Sequence, residues 1–351
     1  MGGTESFRRK MSNPSDKIVP RSAIPIPQSP RVLLIKPGSM GDVIHALPVA
    51  AAIKAQWPDC HLTWLIDSRW AELLKRNPDV DAVREFPRQR FRGPVGWIRG
   101  AWWAFGLSHL QPDLVIDLQG LLRSALFGRL SGAKQVVGGS DAREGARGFY
   151  HHVAEVDPAA HAVDRYFQVL AGAGGTRPAQ LAWPLPVGEL PDYELPEKFV
   201  LLHPFARGKN KSLTPEQVVD LCRRLRPLPV VLAGRFAGEL NDLPDNVTDL
   251  LELTTLLELI GVIREAGGVV SVDSGPAHLA AALDRPLVSI HRWSDPAWVG
   301  PYSDTAWVWF KGQLRPARSA EPFAEGSSEI DETALERIAQ HVKAEFGVDR
   351  G

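Results

Sequence analysis

The sequence predicts an α/β fold in which two doubly wound, Rossmann-like domains face each other across a central cleft. Short, continuously apolar segments such as RVLLI at 31–35 are typical of strands that are buried on both faces. Helical stretches follow these segments, and the alternation recurs in two series along the chain. A segment dense in proline and acidic residues, WPLPVGELPDYELPEK, separates the two series. The length of 351 residues, 44% of them hydrophobic, also favours two domains over one.

The predicted elements follow in a regular order. In the first series, RVLLI leads through KPGSMGD into a helix beginning near Val43, HLTWLID precedes the helical stretch SRWAELLKR, and DLVIDLQG precedes LLRSALFGRL. In the second series the strands are FVLLHP, PVVLAG, GGVVSVD and PLVSIH. The closing segment IDETALERIAQHVKAEF is an amphipathic helix that Asp331 or Thr333 can start.

These elements predict five segments. We expect a disordered N-terminal tail over 1–30, a first Rossmann-like domain over 31–182, a linker over 183–198, a second Rossmann-like domain over 199–328 and a C-terminal helix over 329–351. The tail mixes Ser, Pro, Lys and Arg without periodicity, which is why it is left out of the fold.

Charge and composition narrow the functional classes. Residues 1–184 carry 23 Lys and Arg against 16 Asp and Glu, whereas 185–351 carry 17 against 25, so the first half should meet an anionic partner. No apolar run reaches the roughly 18 residues of a membrane span, and the polar start lacks the apolar core of a signal peptide. We therefore expect a cytoplasmic protein. Cys60 and Cys222 lie far apart and form no CxxC motif, which indicates neither a disulfide framework nor a zinc site.

The loops that follow the strands should carry the chemistry, because ligands of doubly wound folds lie at the carboxyl ends of the strands. In KPGSMGD, Gly38 and Gly41 permit a tight turn, and Asp42 stands at a helix start, where it is either a helix cap or a chemical group. The spacing is not GxGxxG, so a nicotinamide cofactor is not indicated.

Two loops of the second series suit an anionic ligand. In VDSGPAHLAAAL, the helix that follows Asp273 offers backbone N–H groups to a phosphate, unless Asp273 or Ser274 simply caps it. The loop FARGKNKS adds three cations, Arg207, Lys209 and Lys211. No DxD pair is present, so we expect neither an essential metal ion nor another cofactor.

Taken together, the motifs resemble those of a known family. GSMGDVIHALP, DLQGLLRSAL, REGARGFYHH with HAVDRY, HPFARGKNKSLTPEQ, and VDSGPAHLAAALDRP with SDPAWVGPYS are similar, in the same order, to the motifs of family 9 glycosyltransferases over roughly 31–345. The likeness is greatest to the lipopolysaccharide heptosyltransferases. It implies a GT-B fold, ADP-heptose as the nucleotide-sugar co-substrate, and transfer with inversion to an anionic glycolipid of the Kdo and lipid A inner core.

The resemblance also implies roles for individual residues. It implies that the domain over 31–182 binds the acceptor and the domain over 199–328 binds the donor. It makes Asp42 the general base, and it places the donor against Lys211, Asp273 and the backbone of 274–277. The implied donor-binding residues are Arg207, Lys211, Glu239, Asp273, Ser274, Gly275, Pro276, Ala277 and His278, and the implied acceptor-binding residues are Lys36, Gly41, Arg123 and Arg143. The chain departs from the family pattern at Ser212–Thr214 and at HRWSDP, both near the donor end.

Arginines alternate with aromatic residues between Arg84 and Trp103. This pattern favours contact with a membrane surface or a phosphorylated lipid head group, with an ordinary amphipathic helix and single-stranded nucleic acid as alternatives. We expect a monomer, without nucleic acid, bound peripherally at the cytoplasmic face of the inner membrane. Three other functions stay open: a family 9 transferase with another sugar or acceptor, a GT-B sugar-nucleotide epimerase, and a non-catalytic ADP-sugar-binding module.

Overall fold

The first half of the chain folds around a sheet of six parallel strands. The computed structural model describes residues 25–208, 210–319 and 321–346. The elements of the first half are β1 (Arg31–Ile35), α1 (Met40–Gln56), β2 (His61–Asp67), β3 (Ala82–Phe86), α2 (Gly93–Phe105), β4 (Leu114–Asp117), α3 (Leu122–Leu130), β5 (Gln135–Gly139), β6 (His152–Ala154) and α4 (Ala162–Gly172). The strand order is β3-β2-β1-β4-β5-β6, the order of a doubly wound nucleotide-binding fold.

The second half repeats this order and adds one antiparallel strand. Its elements are β7 (Val200–His203), α5 (Pro215–Leu225), β8 (Val230–Gly234), β9 (Val247–Leu251), α6 (Leu256–Glu265), β10 (Gly268–Val272), α7 (Gly275–Ala282), β11 (Leu287–Ile290), α8 (Pro296–Val299), β12 (Ala306–Phe310), β13 (Gln313–Pro316) and α9 (Glu332–Phe346). The sheet runs β13-β12-β11-β10-β7-β8-β9, with only the β12 and β13 pair antiparallel. The α/β, doubly wound fold class predicted from the sequence is confirmed.

Each sheet has one switch point, where the chain reverses the direction in which strands are added. In the first sheet it lies between β1 and β4, and in the second between β7 and β10. Loops at such a point diverge and leave a crevice at the carboxyl ends of the strands. The segments KPGSMGD, DLQG, HPFARGKNK and VDSG are the loops that follow these four strands, so they lie at the switch points. A fifth loop expected to carry function, LAGRFAGE, follows β8 and lies beside the second switch point instead of at it.

Apolar packing joins the two halves. One continuous cluster of buried side chains includes residues of α1 and α4 from the first half and of α6 and α7 from the second. The outer face of the first sheet packs with α2 and α3, and that of the second sheet packs with α5 and α9. Helix α1 is buried along most of its length, which explains why its sequence is apolar on all sides instead of amphipathic.

Several predicted boundaries can be compared with the structure. The stretch SRWAELLKR was expected to be a helix, but Ser68–Leu74 forms a 3₁₀ helix. Arg76 adopts a positive φ of 57°, and Asn77 precedes a proline, so the chain cannot continue a helix there. At the C-terminal helix, the Asp331 carboxylate accepts the Ala334 N–H at 2.7 Å, as expected for a helix cap.

The predicted tail and linker contain no helix or strand where the structure describes them. Residues 25–30 are described, whereas 1–24 and 347–351 lie outside the described residues. The linker is nevertheless packed, because the Asn77 side chain donates to the Pro184 carbonyl at 2.8 Å and the Glu189 N–H donates to the Leu257 carbonyl at 3.0 Å. Within the described residues, no helix is both long and apolar enough to cross a membrane.

Candidate active site

Asp42 lies in the third position of α1, at the switch point of the first sheet. The helix cap is Ser39, whose N–H donates to Asp42 Oδ2 at 2.8 Å and whose hydroxyl donates to the same oxygen at 2.9 Å. The other oxygen, Oδ1, accepts the Tyr166 hydroxyl at 3.1 Å and lies 3.8 Å from Lys36 Nζ. The carboxylate therefore helps to cap α1 with one oxygen and faces a second set of polar groups with the other.

Electrostatics keep this carboxylate ionised. Burial raises the pKa of Asp42, but the Lys36 ammonium and the hydrogen bonds from Ser39 and Tyr166 outweigh it, so the pKa lies below its ordinary value. The Asp42 side chain is 35% exposed, so a ligand can still reach it. An ionised, accessible carboxylate at the mouth of a cleft is able to accept a proton at neutral pH.

Lys36 is buried beneath Asp42 and joins the two loops of the first switch point. Its ammonium donates to the Leu118 carbonyl, after β4, at 3.1 Å and lies 4.7 Å from the centre of the Tyr166 ring. Burial lowers its pKa, although Asp42 and Asp117 counteract the effect. The sequence placed Lys36 among the acceptor contacts, and the structure puts it next to the candidate base.

Lys211 and Asp273 form the corresponding pair at the second switch point. Lys211 Nζ lies 2.6 Å from Asp273 Oδ2, which also accepts a hydrogen bond from Ser294 after β11. Burial raises the pKa of Asp273, but His291, Lys211 and Ser294 outweigh it and lower the pKa to about 2. An ammonium held against an ionised carboxylate can turn toward a phosphate without leaving the site.

The start of α7 adjoins this pair. Ser274 occupies the cap position, but its side chain makes no capping hydrogen bond; its hydroxyl lies 3.3 Å from that of Ser271. Gly275 lies against Met40, so closely that a β-carbon on Gly275 would collide with the methionine. Pro276 and Ala277 are buried behind this contact. The sequence left a capped helix start as an alternative to phosphate binding, and the Ser274 side chain does not supply that cap.

His278 lies between the two halves of the site. Its ring covers Gly41, and a β-carbon at Gly41 would collide with it. The charges of both Asp42 and Asp273 act on His278, but burial dominates and lowers its pKa to about 4. Only glycine at position 41 lets α1 and α7 meet with their N-terminal ends together.

Two further histidines extend this contact. The His45 ring on α1 lies 4.5 Å from the His278 ring and 5.1 Å from the His161 ring, between centroids. His161 Nε2 donates to the Gly300 carbonyl at 3.0 Å, while its Nδ1 accepts the Val163 N–H at 3.2 Å, and these contacts define a neutral ring. Burial lowers the pKa of all three histidines, so the halves meet through uncharged imidazoles at neutral pH.

The other predicted donor residues are distributed unevenly. The Arg207 guanidinium lies 5.8 Å from the ring of Trp70, which belongs to the first half and adjoins Gly38, so Arg207 reaches across the cleft. Lys209 lies outside the described residues. Glu239 is exposed on the loop after β8, and its role stays a prediction; nearby, Glu252 after β9 accepts the Phe236 N–H at 2.5 Å.

The predicted acceptor residues are both exposed in the first half, Arg123 in the first turn of α3 and Arg143 on the loop after β5. The Arg143 N–H donates to the Gly120 carbonyl at 2.8 Å, and the Arg123 guanidinium lies 5.3 Å from the Phe86 ring. Buried Asp117 holds the intervening turn by accepting the Gln119 and Gly120 N–H groups and the hydroxyls of two other residues, Ser124 and Tyr150. Burial raises the pKa of Asp117.

A basic and aromatic cavity opens beside Arg123. Its volume is about 440 Å³, and it is lined by Phe86, Arg88, Phe91, Arg92, Gly100, Arg123 and Phe127. Partial burial and the nearby Arg88 lower the pKa of Arg123, while Glu144 and Asp67 counteract this effect. Such a cavity suits a ligand that carries both an anionic group and an apolar part. Among the described residues, no group of three or more His, Cys, Asp or Glu side chains could hold a metal ion.

Sequence reasoning missed several residues of the site. Tyr166, Ser294, Trp70, His45 and His161 were not singled out, although Tyr166 and His161 lie in HAVDRY and Ser294 lies in SDPAWVGPYS. The two motifs contributed to the family resemblance as whole segments. Their place in the order of motifs was the only indication that their polar residues lie near the site.

Two doubly wound halves whose switch points face each other define a GT-B fold. The Escherichia coli heptosyltransferase WaaC with ADP superposes with a TM-score of 0.72 at 25% identity, covering 90% of this chain and 99% of that one. E. coli ADP-heptose lps heptosyltransferase II gives a TM-score of 0.70 at 21% identity, covering 90% and 98%, which supports the fold.

Sequence comparison identifies the family. The model of "Glycosyltransferase family 9 (heptosyltransferase)" matches residues 106–321. Lipopolysaccharide heptosyltransferase 1 of Pseudomonas aeruginosa is 32% identical over 297 residues, which cover 78% of this chain and 81% of that protein. The protein of the same name from Salmonella typhimurium is 31% identical, with 78% and 91% covered. The chain belongs to glycosyltransferase family 9, and the resemblance predicted from its motifs is confirmed.

Proposed function

We propose that this protein is an inverting heptosyltransferase that moves a heptose from ADP-heptose onto the Kdo and lipid A inner core of lipopolysaccharide. One observation carries the proposal: α1 with Asp42 meets α7, next to Lys211 and Asp273, at facing switch points. Relatives named lipopolysaccharide heptosyltransferase 1 support the sugar and the acceptor. The likeness to E. coli WaaC with ADP-2-deoxy-2-fluoro heptose, at a TM-score of 0.71 and 25% identity, supports the donor.

The reaction would be a direct displacement. An acceptor hydroxyl oxygen attacks the anomeric carbon of the heptose while Asp42 takes the hydroxyl proton, and the bond from that carbon to the ADP oxygen breaks on the opposite face. Lys211 and the start of α7 would stabilise the charge that develops on the leaving diphosphate. Asp273 would then accept hydrogen bonds from sugar hydroxyls, and no metal ion or other cofactor is required in this scheme.

The acceptor would be held by the first half. Arg88, Arg92 and Arg123 line one cavity with three phenylalanines, and this combination suits an anionic sugar or phosphate attached to a lipid. Arg143 approaches the same side through the turn at Gly120. We propose that the enzyme works as a monomer at the cytoplasmic face of the inner membrane, with which it makes peripheral contact.

Turnover of ADP-heptose with a panel of Kdo-containing and truncated lipid acceptors tests the proposal. We expect ADP release that depends on a Kdo-bearing acceptor, together with a product of inverted anomeric configuration. A preference for another sugar nucleotide or acceptor would show a different family 9 transferase. Conversion of the donor in the absence of any acceptor would show an epimerase, and donor binding without turnover under any of these conditions would show a non-catalytic module.

A further inference from the structure

Helix α2 carries a row of large apolar side chains on its solvent side. Val95, Ile98, Trp102 and Phe105 are each between 63% and 75% exposed. Their spacing of three, four and three residues places them on one face of the helix, so they form a continuous apolar strip. We call these four residues the α2 ridge. A contiguous exposed apolar strip of this kind marks an interaction surface.

The opposite face of α2 is firmly packed, so the helix cannot rotate to bury the ridge. Trp103 donates its indole N–H to the Glu85 carbonyl at 3.1 Å, and its ring lies 5.2 Å from the Phe86 ring. Gly96 and Gly100 let Phe91 approach the helix, since a β-carbon at Gly96 would lie 2.6 Å from the Phe91 backbone. Helix α2 is thus a fixed support that holds the ridge outward.

Positive charge surrounds the ridge. Arg88, Arg90, Arg92 and Arg99 are exposed, and the sequence from 86 to 112 contains no Asp or Glu. Two of these residues, Arg88 and Arg92, also line the cavity that reaches Arg123. A basic border around an exposed apolar strip is complementary to an anionic lipid surface, where charges attract the head groups and apolar side chains enter the boundary with the acyl chains.

We propose that the α2 ridge inserts into the interface of an anionic bilayer, while the arginines beside it bind the head groups. Insertion places the mouth of the cavity at the membrane surface, where the anionic part of a lipid acceptor lies. The proposal rests on the proposed function only for the nature of that acceptor. It differs from purely electrostatic docking because the apolar part of the binding resists salt, whereas the arginine part fades over a Debye length of about 10 Å at 0.1 M salt.

Co-sedimentation with vesicles separates the two contributions. The full-length protein is mixed with vesicles of phosphatidylcholine, with or without phosphatidylglycerol, in low and high salt. We expect wild type to keep a salt-resistant bound fraction. Ile98→Ser with Trp102→Ser should lower partitioning about 100-fold, at about tenfold for each apolar side chain that no longer inserts. The matched control, Leu190→Ser with Leu253→Ser, removes two exposed leucines from other surfaces and should bind like wild type.

The arginines should behave differently from the ridge. Replacing Arg88, Arg90 and Arg92 together by Ser should remove the salt-sensitive part of the binding and leave the salt-resistant part. If the triple variant loses all binding while the ridge variant keeps it, docking is electrostatic and the insertion proposal is wrong. Activity on a soluble, truncated acceptor should survive in the ridge variant. Because vesicle binding is measured without substrate, absence of heptosyl transfer in wild type would overturn the proposed function and leave the insertion result standing.

A fluorescent label reports insertion directly. Cys60 and Cys222 are buried, so an environment-sensitive dye can be attached to Ile98→Cys, with Leu253→Cys as the control site. We expect a blue shift at position 98 when anionic vesicles are added and none at position 253. A shift at position 98 that excess unlabelled protein produces, and vesicles do not, would show that the ridge binds a second copy of the chain and would overturn the proposal. An unchanged spectrum with vesicles overturns it equally.

Discussion

Replacing Asp42 by asparagine or by alanine separates the two contributions that its carboxylate makes. One oxygen accepts two hydrogen bonds from Ser39 at the start of α1, and the other faces Tyr166 and Lys36. Asparagine keeps the shape and one oxygen acceptor for the Ser39 N–H, but it cannot take a proton from a substrate. Alanine removes both the acceptor of the Ser39 hydrogen bonds and the base. The pair of variants therefore distinguishes a helix cap from a chemical group, the two alternatives that the sequence left open.

The expected magnitudes differ for activity and stability. Loss of a general base typically costs about 100-fold or more, so both variants should lose at least that much in kcat. Loss of a capping acceptor costs about 1 kcal/mol, which corresponds to roughly 2–4 °C in the melting temperature of a domain of 150–250 residues. We expect that decrease in Asp42→Ala and a much smaller one in Asp42→Asn.

Steady-state ADP release with saturating ADP-heptose and a soluble acceptor measures kcat, calorimetry measures donor affinity, and thermal unfolding measures stability. Donor affinity should change little, because Lys211 and Asp273 lie in the other half of the site. Ser39→Ala is the matched control, since it removes one hydrogen bond to Oδ2 and keeps the carboxylate, so most of the activity should remain. Wild-type turnover in Asp42→Asn would refute the base assignment and leave Asp42 as a cap.

Two further predictions concern charge. Lys211→Met should weaken donor binding or lower kcat, and it should raise the pKa of Asp273. Turnover by the wild-type protein should continue in excess EDTA. Loss of activity in EDTA with recovery in magnesium would contradict a cradle that works without a metal ion. The second prediction concerns His161 and His278, whose pKa values in the folded protein lie at about 4, below the unfolded value of 6.5. Between these two values the unfolded chain binds more protons than the folded one. The free energy of unfolding should therefore fall as the pH drops from 6.5 to 4. The loss should be on the order of 3 kcal/mol for each histidine. Urea titrations at several pH values in this range measure the free energy of unfolding. If this free energy depends on pH as steeply in His161→Gln as in wild type, the prediction is contradicted.

The central strands could be predicted from the sequence because they are buried on both faces. β1, β2 and β10 are continuous apolar runs, and the predicted segments match their bounds to within a residue or two. Edge strands give no such signal. β3 lies at one end of the first sheet and β9 at one end of the second. Most of their side chains are at least partly exposed, so polar and apolar residues mix in their sequences. Both strands were missed, as were β13 and the three-residue β6 at the other ends of the two sheets. Burial alone does not guarantee a prediction, because β5 and β12 lie inside their sheets, are largely buried and were missed too.

The site could be predicted only as separate loops. The rule that ligands lie at strand ends located Asp42, Lys211 and Asp273, but the contacts between loops depend on how distant elements pack. Tyr166 reaches Asp42 from 124 residues away, because α4 packs beside α1. A local pattern contains no information on such a contact. The same limit applies to Ser294, which contacts Asp273 from the loop after β11. It also applies to the start of α1, where the sequence pointed to Asp42 as a possible cap but Ser39 occupies the cap position.

The contact between α1 and α7 links closure of the two halves to the proposed chemistry. Asp42 belongs to the first half and the proposed diphosphate cradle to the second, so neither half holds the complete proposed site. They come together where the His278 ring covers Gly41 and Met40 lies against Gly275. If the halves separate, the donor can enter its cradle while the base stays away, and water near the anomeric carbon then lacks a group to take its proton. Requiring Gly41 and His278 to meet before Asp42 acts would therefore protect ADP-heptose from hydrolysis until an acceptor is in place.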